Sequence, residues 1–137
     1  MTPASKASKG LTFDQVLEVA RALPGVEEST SYGTRSIKVK GVLIARLRED
    51  GETLALRTAM VVRDYLLQTS PKVFFLEDHY RPYPWVLVRL SQAKAPQIRE
   101  LLEDAWRSRA PKRLIAQHDG QTSRDVAKTR PGKKRPR

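Results

Sequence analysis

The residues best suited to chemistry lie in one short stretch, His79-Tyr80-Arg81-Pro82-Tyr83-Pro84-Trp85, the densest aromatic run in the chain. Two prolines stiffen it, so its rings need little further ordering when something binds. Rings held this way can stack on bases or on another planar ligand, with Arg81 set against a phosphate. Tyr32, in Ser31-Tyr32-Gly33, is likewise left over once helices and strands are assigned. Tyr32, His79, Tyr80, Tyr83 and Trp85 therefore form a candidate site for a small molecule or a protein partner. The competing reading is that these aromatics cover an edge of the core with their polar tips in water. A catalytic role would require His79 to be held by Asp78 or Glu77 inside a cleft. No Ser or Cys elbow motif accompanies it, and His118 falls beyond the expected body, so neither a catalytic residue nor an enzyme is expected. No His/Asp/Glu spacing matches a zinc or calcium pattern, and Gly33, Gly41 and Gly51 are isolated turn glycines rather than a phosphate loop. No metal and no cofactor are expected.

The elements that must position these residues follow from hydrophobic period. Phe13, Val16, Leu17, Ala20 and Leu23 keep helical spacing over residues 12–23, with Thr12 and Gln15 as a capping box and Pro24-Gly25 as the stop. Over residues 35–58 the period becomes two: Ile37, Val39, Leu43, Ala45, Leu47, Leu54 and Leu56 alternate with polar or basic residues around the turn Glu49-Asp50-Gly51-Glu52. A second helix is expected over residues 59–68, capped by Thr58, with Val62, Tyr65 and Leu66 buried. Residues 73–76 read as a short strand and residues 85–90 as a central one. Ile98, Leu101, Leu102, Ala105 and Trp106 stripe a last helix over residues 96–109, with Pro96 in its first turn. The expected fold is α+β, an antiparallel sheet with helices packed on one face, in the order α-βββ-α-(β)β-α.

That order leaves one sheet face open. If the alternating apolar set points to the helices, Lys38, Lys40, Arg46, Arg48 and Arg57 point away, joined by Arg89 from the last strand. The strand runs themselves contain no carboxylate, so the face is a candidate phosphate-contact surface, with Arg81 beside it. The alternative is that these cations are ordinary guards of an exposed face.

The chain has 137 residues and a formal charge of +11, with no cysteine. One domain is expected at this length, since domains commonly run to about 100–150 residues. The charge is unevenly placed: residues 11–110 hold 15 basic and 13 acidic side chains, so the body is nearly neutral. Residues 1–10 and 115–137 read as basic, unstructured ends around a single domain at 11–114. The block Pro131-Gly-Lys-Lys-Arg-Pro-Arg137 is either an arm for phosphate backbones or a solubilising tail. No apolar run approaches the ~20 residues of a membrane helix and the first residues carry no apolar signal core, so a cytoplasmic monomer is expected.

Several segments together carry a family resemblance: Ala22-Leu-Pro-Gly-Val-Glu-Glu28, Ser31-Tyr-Gly33, Leu43-Ile-Ala-Arg-Leu-Arg-Glu-Asp-Gly51, Val73-Phe-Phe75, His79-Tyr80 with Tyr83-Pro-Trp-Val-Leu-Val88, and Glu103-Asp-Ala-Trp106 with Ala110-Pro-Lys112. In this order, over about residues 12–114, the chain resembles the MmcQ/YjbR family of small bacterial proteins. The resemblance implies a compact α+β fold related to the frataxin-like (CyaY-like) architecture. It also implies DNA contact through a double-wing arrangement of hairpins, and it supplies no catalytic residues. Frataxin-like relatives bind iron through an acidic helix ridge. Here the first helix offers only Asp14 and Glu18 before Arg21, so iron is not expected. The leading expectation is a non-enzymatic DNA-binding protein. The alternative is a binding module that uses the aromatic loop.

Overall fold

Thr12 starts the first helix as its sequence requires. Its hydroxyl accepts from the Gln15 N–H while the Gln15 side chain accepts from the Thr12 N–H, which satisfies two donors that a helix start would otherwise leave free. This helix, α1 (Phe13–Ala20), buries Phe13, Val16, Leu17 and Ala20. Taken from a computed structural model, the fold is described for residues 10–126, with backbone alone for 121–126. The basic segments 1–9 and 127–137 lie outside the described residues.

Four strands follow: β1 (Val26–Ser31), β2 (Thr34–Val39), β3 (Val42–Leu47) and β4 (Thr53–Arg57). Then come α2 (Met60–Thr69), β5 (Phe74–Phe75), β6 (Trp85–Arg89), α3 (Ala95–Arg109) and α4 (Lys112–Val126). All strand pairs are antiparallel, in the spatial order β1-β2-β3-β4-β6-β5. The α+β class with helices against one sheet face is as the sequence indicates.

Two connections are two-residue turns with both central φ positive, Tyr32-Gly33 (54° and 81°) and Lys40-Gly41 (49° and 82°). That pattern suits the right-handed twist of a tight hairpin, at some cost to the non-glycine member of each pair. The β3–β4 turn is held by Asp50, whose carboxylate accepts from the N–H of Glu52 and of Thr53 and from the Thr53 hydroxyl. Burial alone would push this carboxyl up, but the three donors outweigh it and hold it below the usual carboxylate range.

Across the sheet, Ile37, Ala45, Leu56 and Val86 stand in register and point into the core with α1 and α3. Ser36, Arg46, Ala55, Leu87 and Phe75 share the opposite face. A bulge between Ile37 and Lys38 interrupts the alternation: Ile37 faces Ala45, but Lys38 faces Leu43, so Ile44 is the extra residue. This corrects the expected core set. Ile44 enters the core, and Leu43 sits on the open face opposite Lys38.

Three further expectations change. Strand β1 escapes sequence reading because Val-Glu-Glu-Ser-Thr-Ser has no alternating apolar set. It is a polar edge strand, which suits an edge that must not pair with another chain. Thr58 does not cap α2: Ala59 holds the cap position with no side-chain bond, and the Thr58 hydroxyl donates to the Leu56 carbonyl. The buried residues of α2 are Arg63 and Leu66, whereas Tyr65 is exposed.

Residues 112–126 also form a helix where composition reads as unstructured. Leu114 is buried, Ile115 packs on the core, and Arg107 donates to both Asp119 carboxylate oxygens at 2.7 and 3.2 Å. His118 meets the Trp106 ring edge-on, and the Trp106 indole N–H donates to the Pro24 carbonyl at 2.8 Å. These tertiary ties bring the order that local period lacks.

Candidate ligand-binding site

The aromatic loop is positioned from below by a buried arginine. Arg63, on α2, extends Nη1 to the carbonyls of Arg81 (3.0 Å) and Tyr83 (2.9 Å), while its Nε donates to Asp64. The Tyr83 N–H returns to the Tyr80 carbonyl, the Trp85 N–H to the Tyr83 carbonyl, and the Thr58 N–H to the Pro84 carbonyl. With two prolines fixing φ, the segment 78–84 is tied by these five hydrogen bonds although it is neither long helix nor strand. It folds back over the open face of the sheet. Ala55 and Leu87, on that face, are buried although they lie outside the main core cluster.

Between this loop and the β1–β2 turn lies a cleft of about 400 Å³. Its floor is Leu43 and Ala55, and the small Ala55 side chain leaves the recess. Its walls are Tyr32 on one side and His79, Tyr80, Tyr83 and Trp85 on the other, with Arg46 and Glu49 as the polar members. All five aromatic residues singled out from sequence thus converge on one recess, at a volume usual for small-ligand sites. Tyr32 is 82% exposed and sits at positive φ, a conformation that tyrosine adopts at a cost of about 1–2 kcal/mol. Its ring lies 5.1 Å from the Arg46 guanidinium. Glu49, Leu43, Ala55 and Arg63 were not recognisable as site residues, because a turn carboxylate, an apolar strand residue, an alanine and a helix cation each have ordinary local explanations.

The strand cations proposed as a phosphate surface lie on the open face, with one exception and a different electrostatic setting. Lys40 is in the β2–β3 turn, not on the face. Arg81 is on the loop, as read from sequence, 3.5 Å from Asp78. Arg46 bonds the Ser31 carbonyl and Glu49. Arg48 pairs with Glu77 at 3.1 Å and lies over Tyr80. Arg57 donates twice to the Leu43 carbonyl and lies 4.9 Å from the Trp85 ring, and burial, aided by Arg109, draws its affinity for a proton down. Arg89 donates to the Pro71 and Lys72 carbonyls and lies over Phe75. Lys38 stands opposite Glu27 on β1. The face is therefore not free of anions: Glu27 comes from the unforeseen strand, Glu49 from the turn and Glu77 from the loop. Arginine stacked on aromatic rings is the recurring device, and it rigidifies the rings that line the cleft.

Among the described residues no carboxylate hydrogen-bonds His79; Asp78 faces Arg81, Glu77 faces Arg48, and His79 itself meets Tyr80 edge-on at 5.0 Å. Among the described residues no group of three or more His, Cys, Asp or Glu side chains is placed to hold a metal ion. Nor, among them, is any helix long and apolar enough to cross a membrane.

A protein-family model described as YjbR matches residues 21–108, more than half of the chain. Over 54 residues the chain is 39% identical to the uncharacterized proteins Rv2570 of Mycobacterium tuberculosis (strain ATCC 25618 / H37Rv) and Mb2600 of Mycobacterium bovis (strain ATCC BAA-935 / AF2122/97). That stretch is 39% of this chain and 42% of each relative, so the match spans less than half the length of these curated relatives. The crystal structure of Deinococcus radiodurans protein DR2400, with family-model domain DUF419, has the same fold. Its TM-score is 0.60 at 22% identity, covering 90% of this chain and 96% of that one. The chain belongs to the YjbR family, in agreement with the resemblance carried by its sequence segments.

Proposed function

We propose that this YjbR-family domain is a non-enzymatic binding module that takes a small planar ligand in the cleft between Tyr32 and the 79–85 loop. The observation that carries this reading is the convergence of Tyr32, His79, Tyr80, Tyr83 and Trp85 on one recess of about 400 Å³ floored by Leu43 and Ala55. Rings fixed by stacked arginines and a doubly anchored loop are preorganised, which lowers the ordering cost of binding. The test is a titration of full-length protein with a panel of planar aromatic compounds by ligand-observed NMR, alongside Ala55→Leu. Members of the panel bind the wild type, and Ala55→Leu, which fills the floor, lowers their affinity at least tenfold while leaving the fold intact. Equal binding by both proteins would exclude the cleft.

A second reading, contact with DNA phosphates, is favoured by where the charge lies. Residues 10–126 hold 18 Lys/Arg and 15 Asp/Glu, whereas residues 1–9 and 127–137 hold eight Lys/Arg and no Asp or Glu. With Arg46, Arg48, Arg57 and Arg89 committed to internal partners, the attraction for a duplex is assigned to the terminal segments with Lys38, Lys40 and Arg81. Duplex anisotropy should then fall steeply with salt, and the substitutions Lys133→Ser, Lys134→Ser and Arg135→Ser together should flatten that slope by about three phosphates. An unchanged slope would remove the terminal segment from the reading.

A further inference from the structure

The cleft's polar end is more specific than its aromatic walls. The Arg46 side chain is 8% exposed. Its Nε donates to the Ser31 carbonyl at 3.3 Å and its Nη2 to Glu49 Oε2 at 2.7 Å, but Nη1 makes no hydrogen bond among the described residues. A guanidinium carries five N–H donors, so a nine-tenths buried one with Nη1 unmet calls for an acceptor. Beside it stands Glu49, 66% exposed, whose Oε1 accepts nothing from the described residues. Donor and acceptor are thus adjacent at one end of a slot walled by flat rings.

The charges narrow the ligand further. Arg46 and Glu49 cancel, so this end attracts neither an anion nor a cation strongly. A cationic guest would compete with Arg46, Arg48 and Arg57, which already lie over the rings of Tyr32, Tyr80 and Trp85. A carboxylate guest would face Glu49. What remains complementary is a neutral planar ring whose edge sets a carbonyl next to an N–H, since a carbonyl oxygen offers the guanidinium two lone pairs where a ring nitrogen offers one.

On the reading that the cleft binds a planar ligand, we propose that its ligand is an oxo-purine-type lactam. Its C=O accepts from Arg46, its adjacent N–H donates to Glu49, and its ring lies among Tyr32, Tyr80 and Trp85. Arginine donating to guanine O6 is a recurrent contact, and an ionised carboxylate, which can only accept, suits the neighbouring ring N–H. The ring has two sources: a free nucleoside, or an unstacked base of a single strand displayed for stacking.

The test is calorimetric titration of the full-length protein with guanosine and adenosine, and with short adenine-only single strands with or without one guanine. Guanosine binds at least tenfold tighter than adenosine, which lacks the C=O/N–H edge. Glu49→Gln, which keeps an oxygen for Arg46 but is no longer an acceptor-only carboxylate, abolishes most of that preference, with far-UV circular dichroism checking that the variant is folded. Guanosine binding as tightly as the guanine-containing strand assigns the free nucleoside. A strand binding at least tenfold tighter than guanosine assigns nucleic acid. Equal affinity for the two nucleosides, or a preference untouched by Glu49→Gln, overturns the lactam assignment. So does the absence of nucleoside binding when other aromatic compounds bind in an Ala55→Leu-sensitive way, although the cleft reading then survives. If no aromatic compound binds, both readings fall together.

Discussion

Replacing Arg63 by methionine tests whether one buried cation holds the aromatic loop in place. Methionine keeps most of the stem's packing on α2 and removes only the guanidinium. The loss is two charge-assisted hydrogen bonds, to the Arg81 and Tyr83 carbonyls at 3.0 and 2.9 Å. At ~1.5–3 kcal/mol each, the pair would contribute ~3–6 kcal/mol if both carbonyls stayed dry. Arg81 and Tyr83 are themselves exposed, so their carbonyls recover water once the guanidinium leaves. The ion pair to Asp64, whose side chain is 67% exposed, adds little. The expected net loss is therefore ~2–3 kcal/mol, about half the dry figure. Urea unfolding followed by far-UV circular dichroism reads the global loss, and hydrogen exchange of the Tyr80 and Trp85 amides reads the loop. Both should fall, and affinity for cleft ligands should fall with them. A midpoint change equivalent to less than ~0.5 kcal/mol, with loop amides still protected, would refute the anchoring role.

Tyr32→Asn relieves a positive-φ tyrosine with a residue that accepts that conformation, so stability should hold or rise by up to ~1 kcal/mol while aromatic ligands bind about tenfold more weakly. Thermal melts and NMR titration on the same sample separate the two effects. Trp106→Phe removes the indole donor to the Pro24 carbonyl and leaves a gap in a fully buried site, with an expected loss of ~2–3 kcal/mol in urea unfolding. The Arg107 guanidinium, against the opposing effect of burial, holds the Asp119 carboxyl below its ordinary value of about 3.9. A depressed carboxyl stabilises the fold above its unfolded value and loses that contribution as pH falls through its folded value. The stability gap between wild type and Asp119→Asn should accordingly be present at neutral pH and close in acid below about pH 4. Because both side chains are partly exposed, it should not exceed ~1 kcal/mol.

Much of the frame was legible from sequence because period and caps are local. The Thr12–Gln15 box, the α3 stripe ending at Trp106 and the Asp50-Gly51 turn each declare themselves within a few residues. What escaped was whatever depends on partners far along the chain. Strand β1 is polar because it is an edge, so alternation could not announce it. The bulge at Ile44 reverses Leu43, and no rule of period two anticipates one extra residue. Helix α4 is ordered by Leu114, Ile115 and the reach of Arg107 to Asp119, none of which composition displays. The candidate site followed the same division. Its five aromatics stood out by density, but the residues that give it a floor and a polar end, Ala55, Arg46 and Glu49, became a set only when β3 and β4 were paired and the loop was drawn over them by Arg63.

The most direct measurement of the central claim is a ¹H–¹⁵N chemical-shift map of the full-length protein titrated with a planar aromatic compound. Perturbations should concentrate at Tyr32, Leu43, Arg46, Ala55, residues 79–85 and the Trp85 indole N–H, and should vanish in Ala55→Leu. Perturbations centred instead on the second recess, between Arg57, Pro84 and Arg109, or none at millimolar ligand, would contradict the account.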